Sequence, residues 1–128
     1  MANIVQVEAN NLLNGSLGTG TAFSAPTTPM KLALDTANGT ATAAGTEVTG
    51  GSYARQTITF SAASAGATSN SAQINFTSMP AATVTGVEVY DSAATPVRKW
   101  FGALTTSKTT SAGDTISFSV SSVSATLG

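Results

Sequence analysis

Six carboxylates (Glu8, Asp35, Glu47, Glu88, Asp91 and Asp114) are the groups in this chain best suited to acid–base chemistry. A glycoside hydrolase needs two of them, held at a defined separation across a cleft. Glu88 with Asp91 near one strand end, and Asp35 with Glu47 around a long loop, are the candidate pairs. Solvated strand ends and turn starters explain both pairs more simply. The chain has no histidine and no cysteine. That removes Ser-His-Asp and Cys-His mechanisms together with the commonest metal ligand. Zinc would have to be held by carboxylates alone, a poor donor set. "DTANGT", from Asp35, resembles a fragment of a calcium loop but lacks most of the ligands. "GTGTAF", from Gly18, lacks the third glycine of a dinucleotide fingerprint, and no phosphate-loop lysine follows a glycine run. Trp100 and Phe101 beside Arg98 and Lys99 could stack a sugar or a base. Neighbours along a strand point to opposite faces, so a core tryptophan with basic residues opposite is the plainer reading. No catalytic residue, cofactor or metal is expected.

The stretch "TGGSYARQTITF", from Thr49, is the other place where a site could lie. No helix follows it to supply an N-terminal dipole for a phosphate. Gly50 and Gly51 instead read as the permissive backbone that turns a loop into a strand. Tyr53 is then expected to bury its ring at the strand's mouth, and Arg55 to pair with a carboxylate or a chain terminus.

The elements around these residues are mostly strands. "MKLALD" alternates, with Met30, Leu32 and Leu34 on one face. Ile58, Phe60 and Ala62 share a face, as do Ala72, Ile74 and Phe76. The strand after Ala72 stops at Met79-Pro80, because proline cannot donate to a ladder. Val87 and Val89 point inward in "TVTGVEVYD", then "VRKWFGAL" follows, and "SKTTSAGD" reads as a turn. Ile116, Phe118 and Val120 form a further face, and "VSATL" a last short strand. Residues 18–29 read as loop, and residues 36–51 as a long polar connection with a turn at Asn38-Gly39. Six or seven short strands separated by Gly, Ser and Thr turns indicate an all-β fold. We expect a single antiparallel β-sandwich or jelly-roll-like domain over residues 21–128, preceded by an N-terminal arm over residues 1–20. In the arm, Val5, Glu8, Ala9, Leu12 and Leu13 fall near helical spacing with Gly15 as a stop, while "NIVQVE" alternates like a strand. Both readings stay open.

Composition narrows the partners. Charged residues make up only 9% of the 128 residues and the net charge is -1, where about 25% charged is usual. The five basic residues form no stripe for phosphates and no polybasic patch for anionic lipid, so neither nucleic acid nor a membrane is expected as partner. Polarity comes from Ser and Thr, about three residues in ten. They alternate with Ile, Phe and Val, which a disordered stalk would lack. A weakly charged surface resists association poorly, which suits a protein packed against other copies. "MANIVQVEANNLLNG" has neither the basic start nor the apolar run of a signal peptide.

Three runs, "GTEVTGGSYARQTITFSAAS", "SNSAQINFTSMPAATVTGVEVYDS" and "KWFGALTTSKTTSAGDTISFSVSSVSATLG", carry a resemblance. Together they resemble a family of small virion proteins of tailed bacteriophages, particularly those of actinobacteria. The resemblance implies a β-sandwich on a phage particle with no enzymatic activity. It assigns no residue a chemical role. On this basis a capsid decoration or minor capsid protein on the outer head surface is expected first. A tail-fibre or tail-tip component in host adsorption is the alternative, and a carbohydrate-binding module comes third. The expected partners are the major capsid protein and sister copies, as a homotrimer. The arm and the long loop, having least β pattern, are the expected contact segments. The candidate contact residues are Ile4, Val5, Val7, Leu12 and Leu13 in the arm, and Asn38, Glu47, Tyr53 and Arg55 at the loop and the strand it feeds.

Overall fold

The protein, as a computed structural model, is described over residues 2–20 and 23–127. Within these the chain runs β1 (Asn3–Ile4), α1 (Gln6–Leu17), β2 (Met30–Ala37), β3 (Thr46–Glu47), β4 (Gln56–Ile58) and β5 (Ala67–Ser69). It continues through β6 (Ile74–Met79), β7 (Ala82–Tyr90), β8 (Arg98–Thr110), β9 (Asp114–Phe118) and β10 (Ser124–Thr126). One sheet has the order β1-β8-β7-β2-β3, with β4 also pairing β2. β6 with β9, and β5 with β10, form two antiparallel ribbons. The fold is the expected all-β, sandwich-like arrangement with an N-terminal helix.

Alternation builds the core. Register places Leu32 opposite Val89 and Leu34 opposite Val87, so four apolar side chains share one sheet face. Ile74, Phe76 and Met79 of β6 and Ile116 and Phe118 of β9 meet them, and all are buried. Phe76 sits at the centre. Its ring stacks on Tyr53 at 6.0 Å and meets Phe118 edge-on at 6.1 Å, both favourable aromatic geometries. Asn70, fully buried, stitches the ribbons together. Its amide nitrogen donates to the carbonyls of Ala72 and Ser119, and its side-chain oxygen accepts from Val123 N–H.

Several sequence expectations shift by a few residues. β4 ends at Ile58, and Phe60 makes only an isolated bridge to Asn70. Ala62 and Ala72 are exposed, and Val120 is 55% exposed because the chain turns after Phe118. "SKTT" is strand rather than turn. Thr109 and Thr110 pair with Thr83 and Ala82, which carries β8 to its hairpin at residues 111–113. Asp114 closes that hairpin by accepting from Ser111 N–H at 2.7 Å. Residues 36–51 contain β3 and the buried Val48. The expected loop over residues 18–29 lies partly outside the described residues, at 21 and 22.

The arm is both strand and helix. β1 joins the sheet edge beside β8, and α1 continues through Gly15 until Gly18 takes a left-handed conformation, φ 70°, and ends it. A glycine inside a helix costs only about 1 kcal/mol, too little to stop one whose other contacts favour it.

Truncating Phe76 should test the core directly. Phe76→Ala is expected to cost about 3–5 kcal/mol in urea unfolding, because both ring contacts and the cavity term are lost together.

Candidate functional site

The two halves of β2 have different edge partners. β4 pairs with Met30 to Leu32, and β3 with Asp35 and Ala37. Between them the Leu34 N–H donates to the Tyr53 hydroxyl at 2.9 Å. That hydroxyl donates in turn to Glu47 Oε2 at 2.8 Å. The tyrosine therefore completes a ladder that neither short strand covers. Gly50 and Gly51 aim it there, at φ 100° and 56°. A Cβ on Gly51 would also lie 3.2 Å from the Ser78 carbonyl. Arg55 grips the same carboxylate twice, Nε to Oε2 at 3.0 Å and Nη2 to Oε1 at 2.8 Å. Its guanidinium lies 3.8 Å above the Tyr90 ring centre, a cation–π contact. Burial acts to raise the Glu47 carboxyl, but the hydrogen bonds from Arg55 and Tyr53 outweigh it and hold the group below the usual range. Burial pushes the Tyr53 phenol upward.

A second network lies beside this one, on the sheet face turned away from the core. Asp35 and Glu88 are both buried there, each 1% exposed. Arg98 Nη1 pairs with Glu88 Oε2 at 2.8 Å, as an ion pair whose angle is off that of a hydrogen bond. No N–H from the described chain meets either oxygen of Asp35. Burial first, then the shared hydrogen bond and charge of Glu88, raise Asp35 from 3.8 to about 8. Burial there favours its neutral form.

Residues 38–45 cover this network as a strap made of backbone. Gly45 N–H donates to Glu88 Oε1 at 2.9 Å, and Arg98 Nη2 donates to the Thr40 carbonyl at 2.7 Å. Asn38 Oδ1 accepts from the Thr85 hydroxyl at 2.8 Å. Gly45 passes so close that a Cβ there would lie 2.6 Å from Asp35 Oδ2. The far side of the strap holds the arm, since Ala41 carbonyl accepts from Gln6 N–H at 2.9 Å.

The arm has its own buried ion pair. Val89 pairs with Trp100 and Tyr90 with Arg98, so Lys99 is the extra residue of a β-bulge. The bulge turns Lys99 under α1, where its ammonium meets the buried Glu8 at 3.0 Å. Trp100 packs against the core and, with Leu12, Met30 and Phe60, lines a largely apolar cavity of about 280 Å³ beneath the helix. On the outside of α1, Val7, Leu13 and Leu17 are 68%, 57% and 69% exposed.

The structure joins some of the sequence-selected residues and separates others. Glu47, Tyr53 and Arg55 form one cluster, and Arg55 does pair with a carboxylate. Asn38 anchors the strap. Val7 and Leu13 face outward, Ile4 and Leu12 are half-buried, and Val5 is buried within the chain's own fold. Asp35 and Glu47 are register partners across β2 and β3. Glu88 and Asp91 serve different ends: Glu88 holds the strap, while Asp91 accepts from Ala93 and Val97 N–H. The Asp35–Glu88–Arg98 association was not readable in the sequence. The only available signal was that Asp35 and Glu88 occupy the off-phase positions of strands whose in-phase residues are core.

Two measurements follow. The folded state holds the Asp35 proton more tightly than the unfolded chain, so this group's stabilisation is full below about pH 4 and fades as pH rises toward about 8. Asp35→Asn should flatten that part of the stability–pH curve in urea titrations. Gly45→Ala should destabilise by about 1–3 kcal/mol, because the strap must lift off the carboxyl.

A search of curated proteins finds no match to this chain. A family described as podophage GP4 fiber I protein gp80 matches residues 3–126. That span takes in β1, the strap, the Tyr53–Arg55–Glu47 cluster and the last strand, and the chain belongs to this family of phage structural proteins.

Proposed function

We propose that this protein is a non-catalytic fibre component of a podophage particle, docking through its N-terminal helix to sister copies and to neighbouring virion proteins. The family match over residues 3–126 carries the reading. The family description names a fiber protein, so a fibre position takes precedence over capsid decoration. The outward face of α1 supports docking. Val7, Leu13 and Leu17 lie there with more than half their surface open to solvent. Ile4, Leu13 and the 54%-exposed Leu127 also border a shallow apolar hollow beside the helix. Apolar residues clustered on one surface mark sites of association. The remaining surface is hydroxyl-rich and nearly neutral, so little charge repulsion opposes close packing.

The six carboxylates suit this reading better than catalysis. Glu8, Glu47, Glu88, Asp91 and Asp114 each hold a structural partner, and Asp35 lies under the strap.

Particle stoichiometry provides the first test. In purified virions, gel densitometry should find this chain far scarcer than the major capsid protein; near-equal abundance would instead favour head decoration. The second test is substitution. Leu13→Gln with Leu17→Gln should change stability by no more than about 0.5 kcal/mol per site, yet the variant should be missing from particles grown with it. Full incorporation would remove the helix face from the docking surface.

A further inference from the structure

The strap over residues 38–45 touches two things that are otherwise separate: the buried carboxyl network on the sheet and the start of the N-terminal helix. It carries no titratable side chain and binds through backbone groups and the Asn38 side-chain amide. Its stability on the sheet therefore depends on the charge state of what lies beneath.

The groups facing Asp35 are few. Glu88 approaches from β7, Glu47 from β3 and Arg98 from the start of β8. Arg55 and Tyr53 already occupy Glu47, and Tyr90 stands beyond it beneath Arg55. Among the described residues Arg98 is left to balance Asp35 and Glu88, and it is paired with Glu88. Neutral Asp35 fits this arrangement, because it adds no charge beside Glu88. Ionised Asp35 does not, because two buried carboxylates would then share one guanidinium, and no N–H of the described residues reaches either Asp35 oxygen. Opening the strap lifts the backbone that covers the carboxyl, since Gly45 lies directly over Asp35 Oδ2.

We propose that residues 38–45 are a proton-operated strap, closed while the Asp35 carboxyl is neutral and released when it ionises, which frees the base of the N-terminal helix as it opens. The link to the helix is one hydrogen bond, Gln6 N–H to the Ala41 carbonyl. Releasing it loosens α1, and with it the Leu13 and Leu17 face. The switch operates wherever on the particle the chain resides, so it stands or falls separately from the fibre reading.

Amide NMR on the full chain tests this, using Gly45 as reporter for the strap and Ala9 for the helix, from about pH 5 to about pH 9. Both amides should shift with one common midpoint near 8. In Asp35→Asn both should stay at their acid-form positions throughout. Gln6→Pro supplies the decisive control. Gln6 is the first residue of α1 and Val5 before it is extended, φ -70° and ψ 152°, so proline fits the helix start while removing the linking N–H. In that variant Gly45 should still titrate and Ala9 should no longer follow. A Gly45 amide that does not move in the wild type overturns the switch. So does an Ala9 amide that stays still in the wild type or still follows in Gln6→Pro. Should Asp35→Asn fail to fold, the wild type and Gln6→Pro decide the matter together.

Discussion

A strand buried on both faces must satisfy two sets of side chains, and the two faces of β2 and β7 meet that demand in opposite ways. On one face Leu32, Leu34, Val87 and Val89 enter the apolar core. On the other, Asp35 and Glu88 are equally shut off from water, and burial there is tolerable only through pairing and protonation. One guanidinium, a buried setting that favours the neutral form of Asp35, and the strap meet that condition. Arg98 must start β8 where it does, Gly45 must lack a side chain, and the strap must return to the sheet edge. The long connection after β2, which has little apolar content, is ordered because the charges under it need a cover.

The same economy appears at the arm. A two-residue strand and a helix with little buried surface would be marginal alone. β1 gains a ladder against β8, Val5 N–H donates to the Lys99 carbonyl, and Lys99 meets Glu8 beneath the helix. These ties hold α1 on the sheet while leaving Leu13 and Leu17 outward. Apolar residues on the outside of a separately anchored helix can change without disturbing the core.

Much of this was visible in the sequence, and the boundary is physical. Alternation of Leu32 with Leu34, Val87 with Val89 and Ile116 with Phe118 identified strand faces because one face of each is core. The glycines before Tyr53 pointed correctly to a backbone hinge, and Arg55 to a carboxylate partner. Which carboxylate was hidden, since Glu47 becomes its neighbour only when β3 and β4 line up along β2. Val120 and Ala62 kept the periodicity after the strand had ended, a pattern that carries no information about where ladder partners stop. Glu88 read as an ordinary outward residue, because alternation cannot reveal that something covers the outer face. The family resemblance reached the phage particle and the β fold, and favoured the capsid; the matching family names a fiber.

The strap has a further consequence for surface variation. Along it, Thr40 and Ala41 make their contacts to Arg98 and Gln6 through carbonyl oxygens, and residues 41–44 point their side chains to solvent. Anchoring is thus written in the main chain, in two glycines and in the Asn38 side chain, leaving the side chains of residues 41–44 free of any duty to the fold. Such a segment can diversify residue by residue on an unchanged frame, much as an antibody's loops do. A lineage adapting to new contacts could rewrite this patch first.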